Sequence, residues 1–194
     1  MFPDLLSVES LAELEADARF VRGGGRRNEL AISEALQERG GNPARAFLSA
    51  GASYVQWRLF SAPALVQLIA RRCGLSIEPT GGGTYTYYEQ AGDFLALHRD
   101  ILSCDLTVLT CLLNTGGETG GGRLLVYPQH IKEPLARTRA AGREAGIPVQ
   151  LERGMSMALL GGWVPHEVTA MQSNQERVVS IMCYRILLEG GLPS

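Results

Sequence analysis

Two of the chain's three histidines stand where their side chains could share one metal ion. In Leu97-His98-Arg99-Asp100 the imidazole and the carboxylate are two positions apart, so an extended backbone turns both to one face. His166 opens the later segment Val164-Pro165-His166-Glu167-Val168, and a jelly roll can bring two such sequence-distant strands together. Two histidines and one carboxylate on one face of a metal leave positions open for other ligands, the arrangement of non-haem Fe(II) sites. A His-x-Asp triplet alone carries little weight, because short patterns arise by chance and buried histidines often pair with carboxylates.

Arg177 strengthens the pattern. It follows His166 by eleven residues and starts the alternation Arg177, Val179, Ile181, Cys183, which could turn a guanidinium inward on an apolar row. A buried arginine needs an anion, since an unpaired buried charge costs several kcal/mol. The row supplies no acidic side chain, so the fitting partner is a ligand carboxylate gripped by the planar fork. The plainer alternative, an arginine at a strand end that reaches solvent, stays open at this stage. Three other residues are weaker candidates. Trp163 could floor a substrate pocket or be a half-buried core residue, and Arg58 could reach the mouth of a barrel or simply be solvated. His130 follows a strand end beyond a proline and reads as exposed.

These residues need a scaffold. The chain has 194 residues and 21.0 kDa, which suits one domain over 1–194. With 45% hydrophobic and 20% charged residues it has a globular composition, and the signature of disorder is absent. A net charge of -2 argues against a nucleic-acid partner, which favours basic surfaces. No apolar run approaches the roughly 18 residues that cross a membrane, and the first residues lack a secretory pattern, so the expected location is cytoplasmic. The four cysteines form no CxxC pair and read as buried thiols. The glycine clusters at 23–25, 81–83 and 120–122 suit turns, and none matches a phosphate loop or a dinucleotide fingerprint.

Helices are expected over 11–20, 29–38 and 62–73, making residues 1–80 mostly helical support. From residue 81 onward β-formers dominate, with strands expected over 84–89, 106–113, 123–127, 149–152, 156–160, 166–171 and 177–187. Short strands between glycine-rich turns suggest a sandwich or barrel core over 81–194. The excursion 128–148, with Lys132, Arg137, Arg139 and Arg143, reads as a solvated surface segment, with a lid over the site as the alternative.

Taken in order, these motifs resemble a known family. Tyr88 and Gly92-Asp93-Phe94 lead to His98-Arg99-Asp100 and then to Leu-Thr-Val-Leu-Thr-Cys-Leu-Leu-Asn at 106–114. Gly121-Gly122-Arg123-Leu124-Leu125-Val126-Tyr127-Pro128 follows, then Val164-Pro165-His166-Glu167-Val168 and Arg177. Over 84–187 the chain resembles the Fe(II)- and 2-oxoglutarate-dependent oxygenases of the prolyl-4-hydroxylase-like branch.

The resemblance implies a mainly β fold, a double-stranded β-helix or jelly roll packed against N-terminal helices. It implies His98, Asp100 and His166 as iron ligands and catalytic centre, Arg177 as the clasp for the far carboxylate of 2-oxoglutarate, and Tyr88 as a wall of the cosubstrate pocket. The implied reaction uses O2 to hydroxylate an unactivated C-H bond of a small molecule, amino acid or peptide, releasing succinate and CO2. Ring closure and desaturation remain open, while halogenating relatives replace the carboxylate that Asp100 supplies here. Leu112 and Val179 depart from family positions that hold tyrosine and serine or threonine. The competing readings are a cupin-like metalloenzyme that does not use 2-oxoglutarate and a non-catalytic jelly-roll binding module.

Overall fold

The computed structural model describes residues 1–34, 39–116 and 120–187. In chain order the elements are α1 (Val8–Arg22), β1 (Arg26–Leu30), β2 (Arg45–Gly51), α2 (Tyr54–Phe60), α3 (Pro63–Cys73), β3 (Ile77–Tyr88), β4 (Phe94–His98) and β5 (Leu106–Asn114). They continue with β6 (Leu124–Val126), α4 (Leu135–Ala141), β7 (Ile147–Val149), β8 (Ser156–Leu159), β9 (His166–Val168) and β10 (Arg177–Ile186). All the strand pairings are antiparallel, in the order β7-β6-β9-β4-β2-β3-β10-β5-β8, with β1 on β2. The sheet curls at β2, so that β3, β10, β5 and β8 face β4, β9, β6 and β7 across one core. Leu109, Cys111 and Val179 of the first layer pack there with Leu124, Val126 and Val168 of the second. This is the expected jelly roll.

Strand alternation sorts the first layer's side chains. Tyr85, Tyr87, Leu106, Val108, Met182 and Tyr184 point outward and bury Leu14, Ala18, Phe60 and Ile69 of the helices. The intervening residues point into the roll. The helices form for local reasons as well. Ser7 caps α1 through its hydroxyl, which accepts from the Ser10 amide, and Ser53 caps α2 in the same way through the Gln56 amide. Pro63 begins α3, and Gly74 ends it at φ 67, a left-handed conformation that glycine adopts without strain.

Several expectations need correction. The helix expected over 29–38 is absent where it can be judged: 26–30 is strand β1, and 35–38 lies outside the described residues. Pairing along β2, from Arg26 opposite Ser49 to Leu30 opposite Arg45, overrides the helical propensity of that segment. Residues 1–80 therefore add β1, β2 and the start of β3 to the helices. The strand expected over 149–152 lies slightly earlier, as β7, where Pro148 is tolerated because β7 ends the sheet. Strand β2 and helix α2 were not expected, and the extended backbone expected across His98 and Asp100 is present as β4 but ends at His98, with Asp100 just beyond it.

The excursion 128–148 is a surface segment, as expected, with Lys132, Arg137, Arg139 and Arg143 all exposed, but it is anchored to the roll at two points. Leu135 packs with Leu97, Leu125 and Tyr127 on the outer face of the second layer, and Arg143 pairs with buried Glu167 at 2.9 Å.

The cysteines also differ from the expectation. Cys104 and Cys183 form a disulfide across 79 positions, whereas Cys73 and Cys111 remain thiols. Cys183 sits opposite Thr107 in the β10–β5 ladder, close to Cys104, a proximity that spacing in sequence does not reveal. Closing a loop of that length removes roughly 4–5 kcal/mol of denatured-state entropy in the chain-entropy picture. Among the described residues, no helix is long and apolar enough to cross a membrane.

Candidate metal centre

His98 ends β4 and His166 begins β9, and the antiparallel register places them directly opposite each other, with ring centroids 4.2 Å apart. Each ring is fixed in the same way. Its Nδ1 lies 2.9 Å from the carbonyl oxygen two residues earlier, Ala96 for His98 and Val164 for His166. A carbonyl can only accept, so Nδ1 carries the proton and the Nε2 lone pair of the neutral ring is free to coordinate. Both Nε2 atoms lie 3.6 Å from Asp100 Oδ1. One ligand atom from each of the three residues falls within 4.8 Å of the others, a set that can close on one metal ion.

Asp100 is held from three directions. Its Oδ2 accepts from the Thr107 hydroxyl, and its amide donates to the Gly161 carbonyl at 2.8 Å. Gly161 leaves the space that the carboxylate fills. A Cβ there would fall 1.8 Å from Asp100 Oδ2 and 2.8 Å from Thr107 Oγ1. The Cys104 sulfur lies 3.2 Å from that same Thr107 hydroxyl, so the disulfide backs the group that orients Asp100. Gly161→Ala is therefore expected to displace the carboxylate and weaken Fe(II) or Mn(II) binding by about tenfold or more. Anaerobic metal titration of both proteins checks this, and equal affinities would show that Gly161 is not needed to seat Asp100.

The electrostatics suit a cation. Burial opposes ionisation of Asp100, but the charge and hydrogen bonding of His166, with those of His98, hold its carboxyl well below the usual range. Burial, with the charge of His166, lowers the pKa of His98 and keeps its ring neutral. Burial also acts against the cation at His166, but Asp100 outweighs it and raises that pKa. Without a metal, His166 is thus drawn toward its protonated form beside the Asp100 carboxylate while His98 stays neutral, and a bound cation would take the place of that His166 proton.

Arg99, between two of the candidate ligands, is buried and tethers the site to its surroundings. Its guanidinium donates to the carbonyls of Trp163 at 2.6 Å, His130 at 3.0 Å and Glu133 at 2.7 Å. Glu167, next to His166, accepts from the Tyr127 hydroxyl at 2.6 Å and from Arg143 Nε at 2.9 Å. Sequence reasoning gave no role to Arg99, Thr107, Gly161 or Glu167. Their neighbours in the fold define them, and only the adjacency of Arg99 and Glu167 to the histidines could have signalled them.

Arg177 points inward, as the alternation of β10 allowed. It is 2% exposed, its Nη1 has no hydrogen-bond partner, and no carboxylate pairs with it among the described residues. Its Cζ lies 5.7 Å from the centre of the Tyr88 ring. Burial raises the Tyr88 hydroxyl pKa to about 12, so it stays protonated and able to donate. Cys111, raised to about 11 by burial, is a neutral packing thiol. Leu112 belongs to the outward row against the helices, continuing the alternation of Leu106 and Val108 along β5.

A cavity of about 370 Å³ opens onto His98 and Asp100, with Tyr88, Phe47, Arg45 and Thr86 among its walls. Arg177 does not line it, but Tyr88 borders both. The structure does not bring Trp163, Arg58 or His130 into this cavity. Trp163 is 36% exposed in a separate groove under the guanidinium of Arg39, 5.0 Å away. Arg58 pairs with Glu13 on the helical side. His130 is not freely exposed, since its Nδ1 lies 2.6 Å from the Glu133 carboxylate.

No family sequence profile matches the chain, and no curated protein does. Solved structures do match. The non-haem α-ketoglutarate-dependent epimerase SnoN from nogalamycin biosynthesis aligns with a TM-score of 0.67 at 17% identity, over 95% of this chain and 76% of its own. A Pseudomonas putida prolyl-4-hydroxylase aligns at 0.59 and 16% identity, over 93% of this chain and 88% of its own. EctD from S. alaskensis, solved with 2-oxoglutarate and 5-hydroxyectoine, aligns at 0.61 and 14% identity, over 94% and 70%. The chain thus has the jelly-roll fold of the 2OG-Fe(II) oxygenases, prolyl-4-hydroxylases included, in agreement with the resemblance of its motifs. Hydroxylases and an epimerase share that fold, so the fold alone does not select one reaction.

Proposed function

We infer that this chain, acting as one domain, is an Fe(II)- and 2-oxoglutarate-dependent dioxygenase that hydroxylates an unactivated C-H bond. The observation that carries the reading is the buried, partnerless Nη1 of Arg177 on the inner face of the roll that also holds His98, Asp100 and His166. A two-histidine, one-carboxylate set suits Fe(II) with open positions. A desolvated guanidinium calls for an anion, and 2-oxoglutarate has a carboxylate at the end remote from its metal-binding keto acid group.

His98, Asp100 and His166 would hold the iron, and Arg177 with Tyr88 would hold the cosubstrate. When bound, these groups supply the oxidising chemistry, in which O2 and 2-oxoglutarate are consumed, succinate and CO2 are released, and a C-H bond becomes C-OH. The chain's own residues do the positioning. The Ala96 and Val164 carbonyls fix the imidazole tautomers, Thr107 and Gly161 seat the carboxylate, and the apolar interior around Tyr88 keeps bulk water from the reacting groups. A cupin-like enzyme or a binding module would have no use for Arg177.

The test is succinate release and O2 uptake by Fe(II)-loaded protein as 2-oxoglutarate is varied. Saturable, iron-dependent succinate formation is expected, even before a substrate is identified. No turnover and no measurable 2-oxoglutarate binding by metal-loaded protein would overturn the reading.

A further inference from the structure

The cavity beside the metal centre carries a cation that the metal and cosubstrate do not account for. Its charged walls are Arg45, Arg99 and Asp100. Asp100 faces the two histidines, and Arg99 is committed to the carbonyls of Trp163, His130 and Glu133. Arg45 differs from both. Its Nη1 donates to the Asn42 side-chain oxygen at 2.6 Å and to the Pro43 carbonyl at 3.1 Å, both neutral acceptors. No carboxylate pairs with it among the described residues. Other partly buried arginines do have one, such as Arg27 with Asp93 at 2.6 Å and Arg39 with Asp105 at 3.0 Å. Arg45 is thus half-buried, oriented by its Nη1 bonds and uncompensated in charge.

Its surroundings describe a ligand. Along β2, Arg45, Phe47 and Ser49 alternate onto the cavity, with Thr84 and Thr86 of β3 beside them. Phe47, Leu95 and Ile181 supply apolar wall to the same cavity. Arg45 pairs with Leu95 in the ladder, three residues before His98, a separation of about 10 Å along the strand.

We propose that Arg45 is the specificity residue for the substrate, which is a small molecule with an apolar body and one carboxylate, oxidised several bonds from that carboxylate. This deepens the oxygenase reading and rests on it. Arg177 takes the cosubstrate and Arg45 the substrate, so two anions occupy the roll without competing for one cation. Asp100, which faces the two histidines, is a carboxylate of the cavity wall, whereas Glu29, Glu34 and Asp93 on or near the neighbouring strands do not line the cavity, so none of those three opposes an anion beside Arg45.

The test uses a matched pair of probes, 3-phenylpropionate and 3-phenylpropionamide. Their binding to Mn(II)-loaded protein is followed by ligand-observed NMR, with and without saturating 2-oxoglutarate. Wild type is expected to bind the acid about tenfold tighter than the amide, as one charge-assisted hydrogen-bonded pair warrants. Arg45→Gln is expected to erase that preference while metal and 2-oxoglutarate affinities, titrated separately, stay as in wild type. Three outcomes overturn the assignment: no acid preference in wild type, a preference that survives Arg45→Gln and so belongs to the metal, or a loss of 2-oxoglutarate affinity in Arg45→Gln. If wild type fails to bind 2-oxoglutarate, the oxygenase reading falls, and the probe pair without 2-oxoglutarate still decides the role of Arg45.

Discussion

Asp100→Asn is expected to reduce Fe(II) affinity by about a hundredfold or more, since changes outside the ligand shell of metal sites already cost about 10- to 100-fold. The substitution keeps shape and removes charge. Asp100 Oδ1 is the atom shared by both imidazoles, and its carboxyl is held ionised by them, so the wild-type site has a negative charge ready for a cation. The fold should survive, because the Asp100 amide bond to Gly161 and an acceptor for the Thr107 hydroxyl both remain. His166→Ala should lose as much by removing a nitrogen ligand. A thermal readout separates loss of metal from loss of fold. Metal at a hundred times its dissociation constant stabilises a folded protein by about 2.7 kcal/mol. For a domain of this size that is a shift of roughly 5–10 °C. The variants should melt near the metal-free wild type and show no shift with Fe(II) or Mn(II) added anaerobically. A wild-type-sized shift in both variants would remove the metal assignment.

The site was legible in sequence to the extent that it depends on strand period and motif order. The β10 row from Arg177 to Cys183 alternates, so its facing direction followed from the pleat, whereas β4 ends at His98 and Asp100 meets the imidazoles from the segment just beyond it. What the pleat cannot reveal is which strands are neighbours. The opposition of His98 and His166 needs the β4–β9 pairing, and the Cys104–Cys183 bond needs the β5–β10 register. Strand β1, with the sequence Arg-Arg-Asn-Glu-Leu, has no apolar alternation, because its burial pattern is mostly exposed; its helix-like composition misled. At 128–148 charge density marked the solvated face correctly but not what fastens the segment. The basic side chains do face solvent, and the contacts of Leu135 and Arg143 with the second layer are what the sequence did not reveal. Gly161 could not be weighed at all, since its only requirement is a space that Asp100 fills from another loop.

Arg177 should show the sharpest separation between stability and function. Its buried Nη1 lacks a partner, and contact with the Tyr88 ring is a modest compensation. Replacing a buried charge by an apolar side chain of similar length is often neutral or stabilising by about 1–4 kcal/mol. Arg177→Met is therefore expected to melt at or above the temperature of ligand-free wild type. The same change should remove the carboxylate clasp. Losing one partner of a desolvated charge pair costs about 2–5 kcal/mol, equivalent to very roughly 30-fold to several thousand-fold in 2-oxoglutarate affinity. Arg177→Ala should lose at least as much affinity and also leave a void. Arg177→Lys keeps the charge without the planar fork, so it should bind 2-oxoglutarate at intermediate strength. Metal affinity should be unchanged in all three variants, because the guanidinium is not a ligand. The measurements are melting curves of Mn(II)-loaded proteins across a 2-oxoglutarate titration. Wild type should gain stability with the cosubstrate, whereas Arg177→Met should start at least as stable and gain little. If Arg177→Met is destabilised yet responds to 2-oxoglutarate as wild type does, the arginine serves packing and the cosubstrate is held elsewhere.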